Sequence, residues 1–240
     1  MKIALIGYGK MGKVIEGIAI ERGHSIVAKV NSSQTIDSCD LSNADVAIEF
    51  TRPELAFNHI QYCLDQQLPI VVGTTAWQDK MDTVKHLVSE KNGSLLYASN
   101  FSIGVNIFFE INRKLAQLMS GQAGYKASLE EIHHLQKLDA PSGTAITLAN
   151  GILENNEDYI SWVLGEEKPP HTNDYQLGIT SFREPDVPGT HIIKYTSDID
   201  TLSISHEAHN RKGFALGAVI AAEWLQNKKG IYTINDVLNF

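Results

Sequence analysis

The chain has 240 residues, with 20 Lys and Arg against 28 Asp and Glu, and a formal net charge of −8. This length suits one or two domains with a substantial core. The acidic balance, without a basic patch, argues against nucleic acid as a partner, and no apolar run is long enough to span a membrane. Cys39 and Cys63 lack metal-ligand spacing, and the apolar run after Met1 is too short for a secretion signal. We therefore expect free thiols, no metal site and a cytoplasmic protein.

The N-terminal segment has the pattern of a dinucleotide-binding unit. A buried strand at 3–6 leads into the motif Gly7-Tyr-Gly9-Lys-Met-Gly12, followed by a helix and a second strand at 25–30. In such a motif Gly7 permits the tight turn, Gly9 lets the backbone approach a pyrophosphate, and Gly12 allows close packing of helix on strand. Glycines also occur in ordinary turns, but their place at the first strand–helix junction favours a nucleotide site.

The residues after the second strand do not decide which nicotinamide cofactor is bound. NAD-binding units of this kind commonly carry an acidic residue there, which binds the ribose 2′-hydroxyl. This chain has Asn31-Ser32-Ser33 instead, with no carboxylate to repel a 2′-phosphate and no arginine to bind one. Asn31 and the serine hydroxyls could bind either group, so the choice between NADH and NADPH stays open.

Strands and helices continue to alternate as far as residue 119. We predict strands at 45–50, 69–75 and 94–100, and helices at 53–67, 78–90 and 103–119. Small or hydroxyl residues recur where strands end: Gly73, Thr74, Thr75, Ala98, Ser99 and Asn100. Each could be ordinary turn chemistry. Because ligands bind along the carboxyl edge of a parallel sheet, their recurrence predicts a cofactor crevice in a Rossmann-like doubly wound sheet.

The densest group of chemically active residues lies between Glu131 and Thr144. His133 and His134 stand where a predicted strand at 127–132 ends, and Lys137 follows in a loop. Ser142 is a good N-cap for a helix with apolar spacing over 145–153. The amides of Gly143 and Thr144 would then lack intrahelical partners and form a seat for a carboxylate or phosphate.

Each of these residues also has an ordinary interpretation. A histidine near a strand end is often a satisfied core or surface residue, and a single lysine is often a surface charge. Adjacent histidines on a strand point to opposite faces, which makes chelation of one metal by both unfavourable. The combination of His133, Lys137 and the Pro-Ser-Gly-Thr cap is what favours a site for an acidic substrate.

The pattern changes in the second half of the chain. Strands at 126–132, 176–183, 191–196 and 201–206, with one main helix after Pro141, predict a mixed or antiparallel sheet with helices on one face. We expect the loop 165–171 to be able to close over the site, and exposed strands to favour an oligomer. His206, His209 and Arg211 are interpreted as structural. An apolar helix at 214–225 and the segment 231–240 should return to the first domain, which gives domains 1–102 with 213–240, and 103–212.

Several motifs together resemble the 4-hydroxy-tetrahydrodipicolinate reductase (dihydrodipicolinate reductase) family over nearly the whole chain. They are the glycine motif at 7–12, Glu49-Phe-Thr-Arg-Pro-Glu54, Val72-Gly-Thr-Thr75, Ala98-Ser-Asn-Phe-Ser-Ile-Gly-Val-Asn106, the stretch 131–145 and Phe214-Ala-Leu-Gly-Ala218. The histidine pair followed by Lys-x-Asp-Ala-Pro-Ser-Gly-Thr is the most specific of these.

The resemblance implies NAD(P)H-dependent reduction of a small dicarboxylate in the diaminopimelate route to lysine, by a homotetramer that associates through the second domain. It implies that His133 and Lys137 are catalytic, and that His134, Lys137, Gly143 and Thr144 bind substrate. The cofactor-binding residues that it implies, with Asn31 and Ser32 added, are Gly7, Tyr8, Gly9, Lys10, Met11, Gly12, Phe50, Thr51, Gly73, Thr74, Thr75, Ala98, Ser99, Asn100 and Phe101.

The chain departs from the family pattern in three places. Leu135 and Gln136 replace an Arg-His pair, the first glycine loop is one residue shorter, and Asn31-Ser32 replaces an acidic-arginine pair.

Two alternative functions stay open. They are another Rossmann-type dehydrogenase acting on a small amino or keto dicarboxylic acid, and a nucleotide-sensing protein without activity. We expect His133 to supply a proton because free imidazole titrates near neutral pH, although water could deliver it instead.

Overall fold

The structure, a computed structural model, describes residues 1–240 and contains eleven strands and seven α-helices. In chain order these are β1 (Lys2–Ile6), α1 (Lys10–Glu21), β2 (Ser25–Val30), β3 (Val46–Glu49), α2 (Pro53–Asp65), β4 (Ile70–Val72), α3 (Met81–Glu90), β5 (Ser94–Tyr97), α4 (Ile103–Met119), β6 (Lys126–His133), α5 (Gly143–Asn155), β7 (Ser161–Glu166), β8 (Gln176–Arg183), β9 (Thr190–Thr196), β10 (Thr201–Glu207), α6 (Lys212–Leu225), β11 (Gly230–Thr233) and α7 (Ile234–Leu238). None of the helices combines the length and the apolar character that crossing a bilayer requires.

The chain divides into two compact units. Unit 1 consists of Met1–Ile103 and Arg211–Phe240, and unit 2 of Gly104–Asn210. These bounds lie within two residues of the sequence-based ones, 1–102 with 213–240 and 103–212. The assignment of a cofactor domain and a substrate domain to them stays a prediction.

Unit 1 contains a six-stranded sheet in the order β11-β5-β4-β3-β1-β2, and every neighbouring pair is parallel. Its central strands β1, β3, β4 and β5 are short apolar runs that are buried on both faces of the sheet. Successive residues alternate between two cores: Ile3 and Leu5 pack with α1 and α6, whereas Ala4 and Ile6 pack with α2 and α3. The chain reverses direction of winding between β1 and β3, so the crevice outside their carboxyl ends is the expected ligand position.

Unit 2 contains a five-stranded sheet in the order β10-β9-β6-β8-β7. It is mixed: β10, β9 and β6 are antiparallel, and β6, β8 and β7 are parallel. Helices α4 and α5 cover one face, where Phe108, Leu148, Leu129 and Ile193 meet in one core. The Rossmann-like fold of unit 1 and the mixed sheet with helices on one face in unit 2 confirm the predicted fold class.

The sequence patterns did not predict two of the strands, β7 and β11. β7 is a half-buried edge strand without alternation, and β11 is a four-residue strand that pairs with β5, which is distant in sequence. Consequently, the first two residues of the predicted loop 165–171 belong to β7. The rest of that loop folds back on the strand, since a side chain at Gly165 would overlap the carbonyl of Lys168.

Candidate active site

A cavity of about 340 Å³ opens in unit 1 beside the glycine motif. It is lined by Gly7, Gly9, Lys10, Met11, Phe50, Thr51, Pro53, Gly73, Thr74 and Thr75. These residues follow the ends of β1, β3 and β4, so the structure brings together three loops that are distant in sequence. All of them except Pro53 are predicted cofactor-binding residues.

The glycine motif shapes this cavity through its backbone. Gly7 has a φ of +99°, and a Cβ there would overlap the carbonyl oxygen of Phe50. A Cβ on Gly12 would lie 2.5 Å from the Gly7 oxygen, whereas one on Gly9 would meet no atom within 4 Å. Gly7 and Gly12 thus let the turn close, and the main chain at Gly9 is free to approach a ligand.

The remaining predicted cofactor residues do not line the cavity. Tyr8 donates a hydrogen bond to Glu16, and the ammonium of Lys29 lies 4.6 Å from the centre of the Tyr8 ring. Asn31 accepts hydrogen bonds from the amide and hydroxyl of Ser33, which forms an exposed turn that includes Ser32.

The segment after β5 is divided between solvent and core. Ser99 is exposed and Asn100 half-buried, but Ala98 and Phe101 are 8% and 2% exposed and belong to the apolar core. The Phe101 ring packs 5.8 Å from that of Phe50. The side chains of Ala98 and Phe101 are therefore packed in the core, and only the main chain of these two residues could contact a cofactor.

A buried polar group beneath the cavity was missed from the sequence. Glu49 is fully buried, accepts a hydrogen bond from the Thr51 hydroxyl, and lies 3.3 Å from Nδ1 of His59. The Thr51 amide donates to the hydroxyl of Thr74 at 2.7 Å. This network fixes two cavity-lining loops against each other. A carboxylate at the end of an apolar run, two residues before a threonine, was the sequence signal that could have indicated it.

In unit 2, the inward-facing residues of three neighbouring strands, β6, β8 and β9, change from apolar to polar at the same end of the sheet. On β6 the inward residues run from Ala127 and Leu129 to Glu131 and His133. The register places Ser181 of β8 and His191 of β9 on either side of Glu131, and Arg183 beside His133. Because inward residues recur at every second position, this common change could have been read from the sequence, but Arg183, Ser181 and His191 were missed.

The fully buried carboxylate of Glu131 is the centre of this group. It accepts hydrogen bonds from the Ser142 amide at 3.0 Å and from the Ser181 hydroxyl at 2.7 Å. Burial raises the pKa of Glu131, but the nearby His191 and the hydrogen bonds from Ser142 and Ser181 outweigh it and lower the pKa to about 2. Glu131 is therefore a permanent negative charge at neutral pH.

His133 is 7% exposed, and its Nδ1 lies 3.6 Å from the Glu131 carboxylate with no hydrogen-bond partner. Burial lowers the pKa of His133 to about 4, and the neighbouring His191, Lys137 and Arg183 act in the same direction, while Glu131 opposes them. The expectation of an imidazole that titrates near neutral pH is thus corrected: in the ligand-free protein the pKa of His133 is lowered to about 4.

The three groups Glu131, His133 and His191 have ligand atoms within 4.8 Å of one another, a spacing that a metal ion could use. However, the carboxylate already accepts hydrogen bonds from Ser142 and Ser181. The guanidinium of Arg183 lies 3.8 Å from it, and a fixed cation disfavours a second one. We therefore interpret Glu131 as the acceptor of a hydrogen-bonded network and not as a metal ligand.

The loop between β6 and α5 carries the predicted substrate lysine. The ammonium of Lys137 donates to both oxygens of Asp139, at 2.8 and 2.9 Å. His134 is half-buried, and its Nδ1 has no partner. Lys137 is thus held by an exposed carboxylate of its own loop, which a carboxylate ligand could replace or share.

The helix α5 begins as predicted. Ser142 is its N-cap, and the Ser142 hydroxyl accepts a hydrogen bond from the Ala145 amide at 3.2 Å. The amides of Gly143 and Thr144 lie in the first turn, where no intrahelical acceptor exists. A Cβ on Gly143 would meet no atom within 4 Å, so this positive helix end is open to an anion.

Comparisons with known protein families cover both units. A model described as "Dihydrodipicolinate reductase, N-terminus" matches residues 1–101, and one described as "Dihydrodipicolinate reductase, C-terminus" matches residues 104–238. The chain is 48% identical to a 4-hydroxy-tetrahydrodipicolinate reductase of Christiangramia forsetii, over 100% of this chain and 98% of that one. It is 33% identical to the reductase of the same name from Neisseria meningitidis serogroup B, over 99% and 97% of the two chains.

Solved structures share the fold. A dipicolinate-bound dihydrodipicolinate reductase from Paenisporosarcina sp. TG-14 superposes with a TM-score of 0.75 at 22% identity, over 97% of each chain. An amine dehydrogenase from Mycobacterium smegmatis has a TM-score of 0.60 at 8% identity, over 98% of this chain and 95% of that one. At these identities the likeness describes the fold alone.

Proposed function

Since this chain belongs to the dihydrodipicolinate reductase family and is an NAD(P)H-dependent 4-hydroxy-tetrahydrodipicolinate reductase of lysine biosynthesis, we propose which of its residues perform the reaction. His133, His134, Lys137, Gly143 and Thr144 of unit 2 bind and protonate the substrate. The observation that carries this assignment is the open N-terminus of α5 directly after the loop that bears Lys137. The two features supply backbone donors and a cation for a dicarboxylate.

The cavity in unit 1 fits a reduced nicotinamide dinucleotide. Its glycine turn leaves room for a ligand at Gly9, and Lys10 offers a cation at its edge. When bound, the cofactor supplies the hydride, and the protein supplies binding and orientation. The lining residues from Gly7 to Met11, Phe50 with Thr51, and Gly73 to Thr75 hold it.

The structure supports use of either NADH or NADPH. The exposed Asn31-Ser32-Ser33 turn presents hydroxyl groups and no carboxylate. Lys29, the nearest cation on β2, is paired with Glu16 at 2.6 Å and so is partly neutralised. A 2′-hydroxyl and a 2′-phosphate are therefore both acceptable, and neither is selected by a dedicated charge.

In the reaction the substrate loses water and gains one hydride and one proton. Lys137 and the amides of Gly143 and Thr144 hold the carboxylates, which makes hydride transfer a positioned step. His133 supplies the proton once the substrate's negative charge has raised the pKa of the ring, and water is the alternative donor. The negative charge of Glu131 favours the protonated ring in the same way.

Two further features are proposed from the family resemblance. The homotetramer forms through unit 2, whose sheet has one face without covering helices and an exposed edge strand, β10, with Leu202 and the adjacent Ile199 exposed. Such an edge favours pairing with a second copy. A cytoplasmic location, expected from the cysteine usage, is part of the same proposal.

Replacement of Lys137 tests the substrate site. The change Lys137→Met should raise KM for 4-hydroxy-tetrahydrodipicolinate and lower kcat, with a combined loss of about a hundredfold or more, because a charge-assisted contact and its positioning are lost. The measurement is the loss of absorbance by NADH and NADPH in parallel assays.

The control is Lys126→Met, which removes another lysine of unit 2 that is also ion-paired, to Asp174 at 2.8 Å. That variant should behave like the unmodified protein. Near-normal turnover by Lys137→Met would overturn the site assignment, whereas turnover with only one cofactor would decide the NADH and NADPH question.

A further inference from the structure

The loop that carries Lys137 is not anchored by its own apolar side chains. Leu135 and Leu138 are 65% and 98% exposed. Within the loop, the main chain forms one turn hydrogen bond, from the Lys137 amide to the His134 carbonyl at 3.0 Å. A loop with so little packing needs another attachment to hold a lysine in one place.

Arg183 provides that attachment from the neighbouring strand β8. Its Nε donates to the carbonyl of Lys137 at 3.2 Å, and its Nη2 donates to the carbonyl of Asp139 at 2.9 Å. The two acceptors are the backbone groups of the lysine and of the carboxylate that holds its ammonium. A single guanidinium thus fixes both members of the Lys137–Asp139 pair.

Arg183 is itself held rigidly. Its side chain is 18% exposed, its Nη1 donates to the Phe182 carbonyl at 2.9 Å, and the same nitrogen lies 3.8 Å from the Glu131 carboxylate. In the sheet it pairs in register with His133. Because the guanidinium is planar and carries several donors in fixed directions, it can hold two carbonyls at once, which a lysine ammonium cannot do equally well.

We propose that Arg183 is a positioning residue of the reductase, which acts through the backbone of the loop to hold Lys137 where it binds the substrate carboxylate. The proposal rests on the proposed function of Lys137. In this proposal Arg183 acts without contacting the substrate. Its removal should therefore affect the substrate and leave the cofactor unaffected, since the cofactor cavity belongs to unit 1.

The test compares Arg183→Met, Arg183→Lys, Lys137→Met and the double variant of Arg183→Met with Lys137→Met. Arg113→Met is the matched control, because Arg113 is also an ion-paired arginine of unit 2, with Glu110, and lies outside the site. Kinetic constants are measured for substrate and for cofactor. Calorimetry with pyridine-2,6-dicarboxylate measures binding without turnover, and thermal unfolding verifies that each variant is folded.

We expect Arg183→Met to raise the substrate KM and weaken binding of the dicarboxylate between about tenfold and a hundredfold, the range produced by a small misplacement of a binding group. The cofactor KM should be unchanged. Arg183→Lys should recover part of the loss. In the Lys137→Met background the loss of Arg183 should have little further effect, because both changes remove the same interaction.

Independent, additive effects of the two single changes would overturn the proposal, as would equal rises in both KM values. So would full dicarboxylate affinity in a folded Arg183→Met protein. Failure of the proposed function is distinguishable, because Lys137→Met would then keep near-normal turnover and dicarboxylate affinity, whatever the effect of Arg183→Met.

Discussion

At the scale of single residues, Glu131 combines complete burial with a full negative charge. Such a carboxylate is stable only where several donors satisfy it. Here Ser142 and Ser181 donate to it, and His133, His191 and Arg183 lie within 4 Å. The carboxylate therefore connects strands β8 and β9 to the end of β6 and the start of α5, which flank the loop that bears Lys137.

Glu131 and His133 should make the protein sensitive to acid in two steps. The pKa of His133 falls from 6.5 to about 4 on folding, so the unfolded chain binds more protons in that interval and stability declines as pH falls through it. The pKa of Glu131 falls from 4.5 to about 2, so its contribution is present above 4.5 and is lost as pH falls towards 2.

The variant Glu131→Gln should lack the second of these steps. It should also be less stable at neutral pH by about 1–3 kcal/mol, the cost of disturbing a buried hydrogen-bonded group. Thermal unfolding as a function of pH is the measurement. Glu130→Gln is the matched control. Glu130 lies on the opposite face of β6, where it pairs with Lys194 of β9, so this variant should retain both steps. Identical pH profiles for Glu131→Gln and the unmodified protein would contradict this account.

Binding of a dicarboxylate should protonate His133. The ring is neutral above pH of about 4 in the free protein, and two nearby negative charges raise the pKa of a histidine. Calorimetric titration with pyridine-2,6-dicarboxylate at about pH 5.5, in buffers of different ionisation enthalpy, should reveal uptake of up to about one proton.

This uptake should disappear in His133→Asn and persist in His86→Asn, a change at an exposed histidine of α3 in unit 1. Binding without proton uptake by the unmodified protein would leave water as the proton donor and remove the acid role from His133.

At the scale of elements, the packing of α6 against Phe101, which follows β5, depends on Gly217. A Cβ at Gly217 would overlap the carbonyl oxygen of Phe101. The change Gly217→Ala should therefore destabilise the protein by about 1–3 kcal/mol or more, as overpacking does. Chemical denaturation with urea measures this difference.

Gly17 of α1 is the matched control for that change. It also lies inside a helix of unit 1, but a Cβ there would meet no atom within 4 Å. Gly17→Ala should thus stabilise the protein by about 0.4–1 kcal/mol, because alanine loses less backbone entropy. Equal effects of the two substitutions would show that the contact with Phe101 is not restrictive.

Strands illustrate which elements sequence patterns can predict. β1 is a run of buried apolar residues and is evident, whereas β11 has no fully buried residue and becomes a strand only because β5 lies beside it. β7 is similar, since it completes the edge of its sheet by pairing with β8. Pairing with a distant strand is a tertiary contact, and it leaves little trace in local composition.

At the scale of the whole molecule, the acidic net charge of −8 is compatible with a dicarboxylate substrate because cations are concentrated locally. Lys137 and Arg183 stand beside the open N-terminus of α5 within unit 2. Favourable charge therefore arises at the proposed substrate site, independent of the average over the surface.

Assembly is the property of the whole molecule that most needs measurement. If the homotetramer forms through unit 2, the change Leu202→Asp on β10 should dissociate it, because a charge would be buried in an apolar contact. Light scattering coupled to gel filtration measures the mass. Ile20→Asp, at an exposed apolar position of α1 in unit 1, should leave the mass unchanged. A monomeric unmodified protein would contradict the prediction.

The fold class, the glycine turn and the cap of α5 could be predicted from the sequence, since each depends on residues close together in the chain. Gly7, Gly9 and Ser142 act through local backbone geometry, which neighbouring residues largely fix. Two other features are visible only in the folded chain: Arg183 attaches the Lys137 loop, and burial lowers the pKa of His133. These properties depend on which strands become neighbours and on how much water they exclude, and both are set by contacts between residues far apart in sequence.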